Sequence, residues 1–382
     1  MFISLSYLSC KKAETSSSLV DNNDEDGCVQ QRSVNDGDII SGRYIVAYST
    51  NISTGRMNNR ELTAMGEDVL RRNSITSTSL RSSFAGEPGG FIADLSDAEV
   101  NRLKNDNSVT HIEPDRIVSL GNCFTVVAPW LINWNINKVG YGDGTGKTAW
   151  VIDTGIDFAH PDLTTDQSRS RSFISGQSSA ADENGHGTHV AGIIGAKNNA
   201  FGVLGVASGA TLISLRVLDK NGDGALSNIV QALAYVSTNG RAGDVVNMSL
   251  GEDGVSNILD QQVRNTASRG IFISMAAGND NKPAIQFSPG RVNGPNIYTV
   301  SAIDSTGKFA AFSNYGNDVI DYAAPGVRIL STYLNNRYAT MSGTSMAAPH
   351  VAGLLLLNGN NIRAVGSATN DPDGSADGIA HN

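Results

Sequence analysis

Cysteine is nearly absent. The 382-residue chain has 3, at positions 10, 28 and 123, so nothing beyond residue 123 can form a disulfide or a thiolate metal site. A Cys28–Cys123 bridge and a set of free thiols are both open on the sequence. Long apolar runs are also missing: none reaches the roughly 18 residues needed to cross a bilayer. Basic charge is in deficit. Lys and Arg number 28 against 37 Asp and Glu, and 28 − 37 = −9 argues against nucleic acid as a partner. Histidine is sparse at 6, and none of these residues has the H-E-x-x-H spacing of a catalytic zinc site. Glycine is plentiful, 41 residues beside 40% hydrophobic ones, which describes a turn-rich globular chain long enough for more than one domain.

The first ten residues, MFISLSYLS and Cys10, are apolar and small, and Lys11-Lys12 follow. They resemble the end of a bacterial lipoprotein signal, so export is expected, with a lipid anchor at Cys10 as one form of it. Tyr7 stands where Leu is usual, the apolar stretch is short and no basic residue precedes it. Residues 11–40 are polar, acidic and aperiodic, and read as a flexible tether.

Residues 41–120 change texture. "RYIVAYS" (43–49) and "GGFIADL" (89–95) are strand patterns, and "SVTHIEPD" (108–115) closes with another. Between them lie a helical spacing at Leu62, Met65, Val69 and Leu70, and a second helix opened by a Ser96/Glu99 capping box. This is a small α+β domain. From about 125 to 357, full apolar strands at 148–153, 211–217, 244–249, 271–276 and 297–302 alternate with helical stretches at 188–196, 226–237 and 258–269. That pattern predicts a parallel sheet covered on both faces, with sites at the carboxyl ends of its strands. Residues 358–382 lose the pattern and read as an irregular tail.

Two motifs mislead. Gly146-Lys147-Thr148 suggests a phosphate loop, but the required glycine at 141 is Tyr141, and the glycines lead into a strand instead of following one. They read as a surface turn. "DKNGDGALSNIV" (219–230) matches the first half of an EF-hand loop, but its twelfth position is Val230, so the bidentate carboxylate is missing. It reads as a tight strand-to-helix loop.

The residues that carry chemistry lie elsewhere. Asp153 ends an apolar strand, His186 opens a helix in "NGHGTHVAG", and Ser345 opens another in "MSGTSMAAPHVAG". A serine hydroxyl becomes a nucleophile when an imidazole takes its proton, and a carboxylate holds that imidazole in one tautomer. A helix start beside Ser345 aims N–H groups at developing negative charge. Asn279, in "SMAAGND", is placed to donate to an oxyanion. The order Asp…His…Ser is one of the few known triad orders.

The motifs "VIDTGIDFAHPDL", "NGHGTHVAGIIGA", "GVLGVA", "VVNMSLG", "AAGND", "FSNYG", "YAAPGV" and "SGTSMAAPHVAG" strongly resemble the subtilisin-like serine proteases, the subtilases, over about 125–357. The resemblance implies a subtilisin-like α/β fold. It also implies Asp153, His186 and Ser345 as triad, and Asn279 with the Ser345 N–H as oxyanion hole. Ser249, Leu250 and Gly251 match the edge on which a peptide pairs as an added strand, and Gly222, Asp223 and Gly224 flank it. Ala276, Ala277, Gly278 and Phe287 would line the first specificity pocket, with a lean to apolar substrate residues because no acid is assigned to its base.

No cofactor is implied for catalysis. A structural calcium is, through the Asp162 carboxylate, the Asn199 side chain and the backbone carbonyls of Lys197, Phe201 and Val203. Lys197 departs from the family by placing a cation where an apolar side chain is usual. His160, His189 and His350 read as structural. The 41–120 block resembles the ferredoxin-like inhibitory propeptide of secreted subtilases, which implies self-cleavage between Asp115 and Val126. The expectation is a monomeric precursor of a secreted or envelope-anchored endopeptidase acting on polypeptides. The rival reading is a non-catalytic peptide-binding or adhesion module on the same scaffold.

Overall fold

The computed structural model describes residues 29–30, 39–49, 52, 54, 57–86, 88–116, 123–124, 126–251 and 254–382. Cys10, Cys28 and most of the 11–40 stretch lie outside them. Two compact units emerge: Arg32–Asn122, and the rest of the chain. The tether reading fails at two places. Val29–Gln30 pairs antiparallel with Cys123–Phe124, and the first long strand, Ile39–Tyr48, begins before residue 41.

In the smaller unit the element order is β-α-β-β-α-β. Its antiparallel sheet runs Leu80–Phe84, Gly90–Asp94, Ile39–Tyr48, Val109–Arg116, the ferredoxin-like order. The helix Asn59–Arg72 starts where Asn58 Oδ1 accepts from the N–H groups of Arg60 and Glu61, while the Glu61 carboxylate accepts from Asn58 N–H. Leu62, Val69 and Leu70 on this helix are buried, and Val69 and Leu70 share a core with Val46, Tyr48, Phe91 and Leu103. The strand Leu80–Phe84 has no counterpart in the sequence reading. It lies at the sheet edge and buries none of its residues fully, so selection left no apolar alternation to read.

The larger unit is built on a ten-stranded sheet. From one edge its main path is Arg171–Ser172, Thr211–Arg216, Thr148–Asp153, Val245–Met248, Phe272–Ala276, Ile297–Ile303, Tyr322–Pro325, Gly378–His381 and Arg363–Ser367. All these neighbours are parallel except the last pair. The continuous apolar runs follow from burial on both faces. Along one strand, Ala149 and Val151 enter the core beneath the helices His186–Gly195 and Thr344–Asn358. Trp150 and Ile152 enter the opposite core, under Leu226–Asn239 and Asn257–Ala267. By the same alternation Asp153 points to the face that carries the first pair of helices.

Helix Thr344–Asn358 contains Pro349, which has no N–H for the Ser345 carbonyl four residues back. The Ser249 hydroxyl fills that place and donates to the Ser345 carbonyl at 2.7 Å.

The C-terminal residues are not an irregular tail. Arg363–Ser367 and Gly378–His381 form an antiparallel pair, and the second of them extends the main sheet beside Tyr322–Pro325. Ile379 and Ala380 are buried, and Asn382 N–H donates to the Val139 carbonyl at 2.8 Å. The sequence signal failed because the first strand is exposed throughout and the turn between the strands is acidic.

That turn delivers Asp377, buried and accepting from the Ser301 hydroxyl at 2.5 Å. Burial raises its pKa to about 7 against the lowering effect of the Ser301 bond, and the charges of Asp371, Asp373 and Asp321 add to the rise. A carboxyl raised in the folded state contributes stability that is complete below the unfolded value and is lost as pH climbs through the folded one. Asp377→Asn should therefore raise the urea midpoint more at about pH 8 than at about pH 4. An equal change at both pH values would contradict this account.

Candidate active site

The strand Thr148–Asp153 and the helix His186–Gly195 place two of the expected residues in contact. His186 Nδ1 lies 2.7 Å from Asp153 Oδ1. The carboxylate can only accept, so Nδ1 carries the proton and Nε2 keeps a lone pair. Asp153 is fully buried, and its Oδ1 also accepts from Thr154 N–H at 2.7 Å. Burial draws the His186 pKa down. The charge and hydrogen bond of Asp153, joined by the charge of Asp182, outweigh it, and the net shift is upward. The approach of helix to strand requires a residue without a side chain at 187, since a Cβ on Gly187 would stand 2.2 Å from the Gly155 carbonyl.

Ser345 sits in the first turn of its helix. Its hydroxyl donates to the Ser249 carbonyl at 3.2 Å, and no hydrogen bond joins it to His186. Catalytic hydrogen bonds are often long or misaligned before substrate binds. The structure thus closes the Asp153–His186 contact and leaves the Ser345 hydroxyl turned to the neighbouring strand end.

Two cavities flank that strand end. One, of about 300 Å³, is lined by Ser345, Asn279, Ala276, Ala277, Gly278 and Phe287. The other, of about 470 Å³, is lined by His186, Gly222, Asp223, Gly224 and Ser249. Leu250 and Gly251 line both. Every expected substrate-binding residue therefore lies on one cavity or the other. The sequence reading missed Asp280 on the first cavity, and the apolar set Leu218, Leu226 and Ile229 on the second. Asp280 adjoins Asn279 and was visible in the motif; the other three were visible only as helix and strand core.

Asn279 is held in one orientation. Its Oδ1 accepts from Thr344 N–H at 2.8 Å and from the Thr344 hydroxyl at 3.0 Å, which assigns Nδ2 as the end free to donate elsewhere. Asn314, fully buried, braces the same loop: its Nδ2 donates to the Ala277 carbonyl, and its Oδ1 accepts from Asp280 and Lys282 N–H, all at 3.0 Å. Gly278 adopts φ +105°, and a Cβ there would meet Asn314 Nδ2 at 2.2 Å, so only glycine fits.

His189, His350 and His160 bond to main-chain carbonyls. His189 Nε2 donates to the Ile329 and Ala339 carbonyls, and burial pushes its pKa down to about 4. His350 donates from Nδ1 to the Met346 carbonyl and accepts at Nε2 from Asn135, with its pKa pushed down to about 3 by burial. His160 Nε2 lies 3.1 Å from the Arg337 carbonyl. Asp219 closes a turn by accepting from Asn221 and Asp223 N–H, and Lys147 N–H donates to the Gly144 carbonyl as the surface turn requires.

The expected calcium ligands meet, but as a closed hydrogen-bond set that does not fit a cation. Asp162 Oδ1 accepts from Asn199 Nδ2, so the amide turns its nitrogen to the carboxylate; its oxygen is taken by Phe201 N–H. Asp162 Oδ2 accepts from Val203 N–H and the Tyr338 hydroxyl. The Lys197 carbonyl accepts from Asn199 N–H, and the Lys197 ammonium donates to the Pro161 carbonyl at 2.9 Å. The Asp162 carboxylate is met here by N–H and O–H groups. Among the described residues no group of three or more His, Cys, Asp or Glu side chains is arranged to hold a metal.

Residues 144–365 match the subtilase family. A protein named thermostable alkaline protease from Halalkalibacterium halodurans is 41% identical over 268 residues, 69% of this chain and 71% of its own. One named extracellular serine proteinase from a Thermus species is 36% identical over 350 residues, 83% of this chain and 80% of its own. A solved structure described as a cold adapted subtilisin-like serine proteinase superimposes with a TM-score of 0.57 at 33% identity, over 66% of this chain and 98% of the other.

If the Asp162 loop is held by these hydrogen bonds, calcium added after chelation should leave its melting temperature unchanged. A rise on calcium addition that Asp162→Asn abolishes would show that a cation binds there.

Proposed function

Because this chain belongs to the subtilase family of serine proteases, we propose that Asp153, His186 and Ser345 form its triad and that it is made as a self-processed, secreted precursor. The observation that carries the reading is the 2.7 Å bond between a buried Asp153 and His186 Nδ1, with His186 and Ser345 on two cavities that meet at Leu250 and Gly251.

Asp153 holds the imidazole so that Nε2 faces the cleft as a base. When a peptide pairs along Ser249–Gly251, the Ser345 hydroxyl leaves the Ser249 carbonyl and turns to Nε2. The oxygen attacks the peptide carbonyl carbon as its proton passes to His186. The carbonyl oxygen becomes an oxyanion that accepts from Asn279 Nδ2 and Ser345 N–H. The tetrahedral species collapses, the C–N bond breaks, and His186 returns the proton to the leaving amine. Water then repeats the sequence on the acyl-enzyme. Main-chain pairing gives affinity without sequence preference. Ala276, Ala277 and Phe287 give the first cavity apolar walls, and we assign it to an apolar side chain before the scissile bond.

Secretion is supported by the extracellular relative and by the leader at Cys10, with lipidation of that cysteine as the anchored form. Residues 41–120 act in this reading as an intramolecular inhibitor. A sheet of parallel pairings pays loop entropy before its contacts form, and a preformed small domain offsets that cost. The chain then cuts itself between Asp115 and Val126.

A fluorophosphonate probe should label Ser345 in the purified chain, and the chain should lose the residues before Val126. Ser345→Ala should do neither; processing of that variant in isolation would refute self-cleavage. Asn279→Leu should lower kcat by about 10²–10³-fold with little change in KM; the scale is the one known for the equivalent loss in a subtilisin, a relative of this chain. A wild-type kcat would remove Asn279 from the mechanism.

A further inference from the structure

We infer that Asp182 is the positioning residue for the Asp153–His186 pair, tying the strand that ends in Asp153 to the helix that begins with His186. The inference rests on the triad reading above and concerns a carboxylate that touches neither the substrate cleft nor the imidazole ring.

Asp182 is 9% exposed, and it lies on the loop before the helix. Its Oδ1 accepts from the Thr154 hydroxyl and from Asn184 and Gly185 N–H, each at 2.9 Å. Its Oδ2 accepts from Thr188 N–H at 3.0 Å and from the Thr188 hydroxyl at 2.6 Å. The Thr154 oxygen in turn accepts from Gly187 N–H at 2.9 Å, and Asn184 Oδ1 accepts from His186 N–H at 3.1 Å. Every backbone N–H from 184 to 188 is therefore satisfied by Asp182 or by a side chain of the segment bonded to it. These are the groups a helix start leaves without internal partners, so one carboxylate organises the whole first turn around His186.

The strand side is equally fixed. Thr154 follows Asp153 directly, and its hydroxyl is the only side-chain link from the strand end to Asp182 among the described residues. The backbones also meet: Asp182 N–H donates to the Ile156 carbonyl at 3.2 Å, and a Cβ on Gly155 would lie 2.7 Å from Asp182 Cα. Below, the buried Arg216 clamps the loop through the Ala181 carbonyl at 2.9 Å and Glu183 Oε2 at 2.6 Å. With strand and helix held to one point, the imidazole and Asp153 are set by the scaffold before substrate arrives.

The charge of Asp182 has a second effect. The ionisable groups that act on His186 are Asp153, Asp182 and His189; the two carboxylates favour its protonated form, and His189 is neutral. Removing the charge at 182 lowers the His186 pKa, so the neutral base persists to lower pH.

The test compares Asp182→Asn and Thr154→Val with wild type, each normalised by fluorophosphonate titration of active sites. Asparagine keeps the size but turns an NH2 toward Thr188 N–H. Its kcat should fall about 10- to 100-fold, the scale of an approximately 1 Å misplacement, with KM nearly unchanged. The acid limb of its kcat/KM profile should move to lower pH. Thr154→Val keeps the charge and cuts the strand link, so its kcat should fall while the acid limb stays. Wild-type kcat and an unmoved limb in Asp182→Asn would overturn the inference. If that variant does not fold, wild-type kcat per titrated site in Thr154→Val would overturn it alone. A wild type that neither titrates nor cleaves peptides would instead defeat the triad reading on which the inference stands.

Discussion

The hydrogen bond between Asp153 and His186 is the constraint from which the rest of the large unit can be understood. It places a carboxylate in a fully buried position, which is unfavourable unless donors surround it. Thr154 N–H and the imidazole are its donors, both to Oδ1, while the buried Oδ2 has none among the described residues. Both donors come from element ends, where backbone groups lack regular partners. A parallel sheet gathers such ends at one edge, which is why the strand carrying Asp153 and the helices carrying His186 and Ser345 can serve one cleft.

Ser249 connects this cleft to the proposed nucleophile in both directions. Its hydroxyl, itself accepting from Asn247 Nδ2 at 2.9 Å, donates to the Ser345 carbonyl that Pro349 leaves unpaired. Its carbonyl accepts from the Ser345 hydroxyl. The strand end that would bind a peptide is thereby fixed to the helix turn that would attack it. Thr344 does the same for Asn279, taking up the amide oxygen so that the nitrogen is the available end. A helix-breaking residue inside a buried helix is thus part of how the Ser249 strand end is held.

Much of this was legible in the sequence. The strands Thr148–Asp153 and Val245–Met248 are buried along nearly their whole length, so their residues had to be apolar and announced themselves. His186, Ser345 and Asn279 stand out because each sits among glycine, alanine or serine, and Asp153 because it ends an apolar strand. What escaped was whatever burial did not write into the pattern. Leu80–Phe84 and Arg363–Ser367 are edge strands held by main-chain bonds, and such bonds place no demand on side chains. Asp162 was read as a cation ligand and is found among N–H and O–H donors, a difference a sequence cannot express because a carboxylate suits either partner. Asp182 passed unnoticed, since a buried acid before a helix looks like any capping residue until its partners are traced.

The most direct test of the central contact is proton NMR of His186. Held against Asp153, its Nδ1 proton should resonate far downfield, and the ring should titrate above the ordinary value of about 6.5. Asp153→Asn should abolish the downfield signal. A wild-type His186 that titrates as a solvated imidazole, with no downfield proton at any pH, would contradict the account.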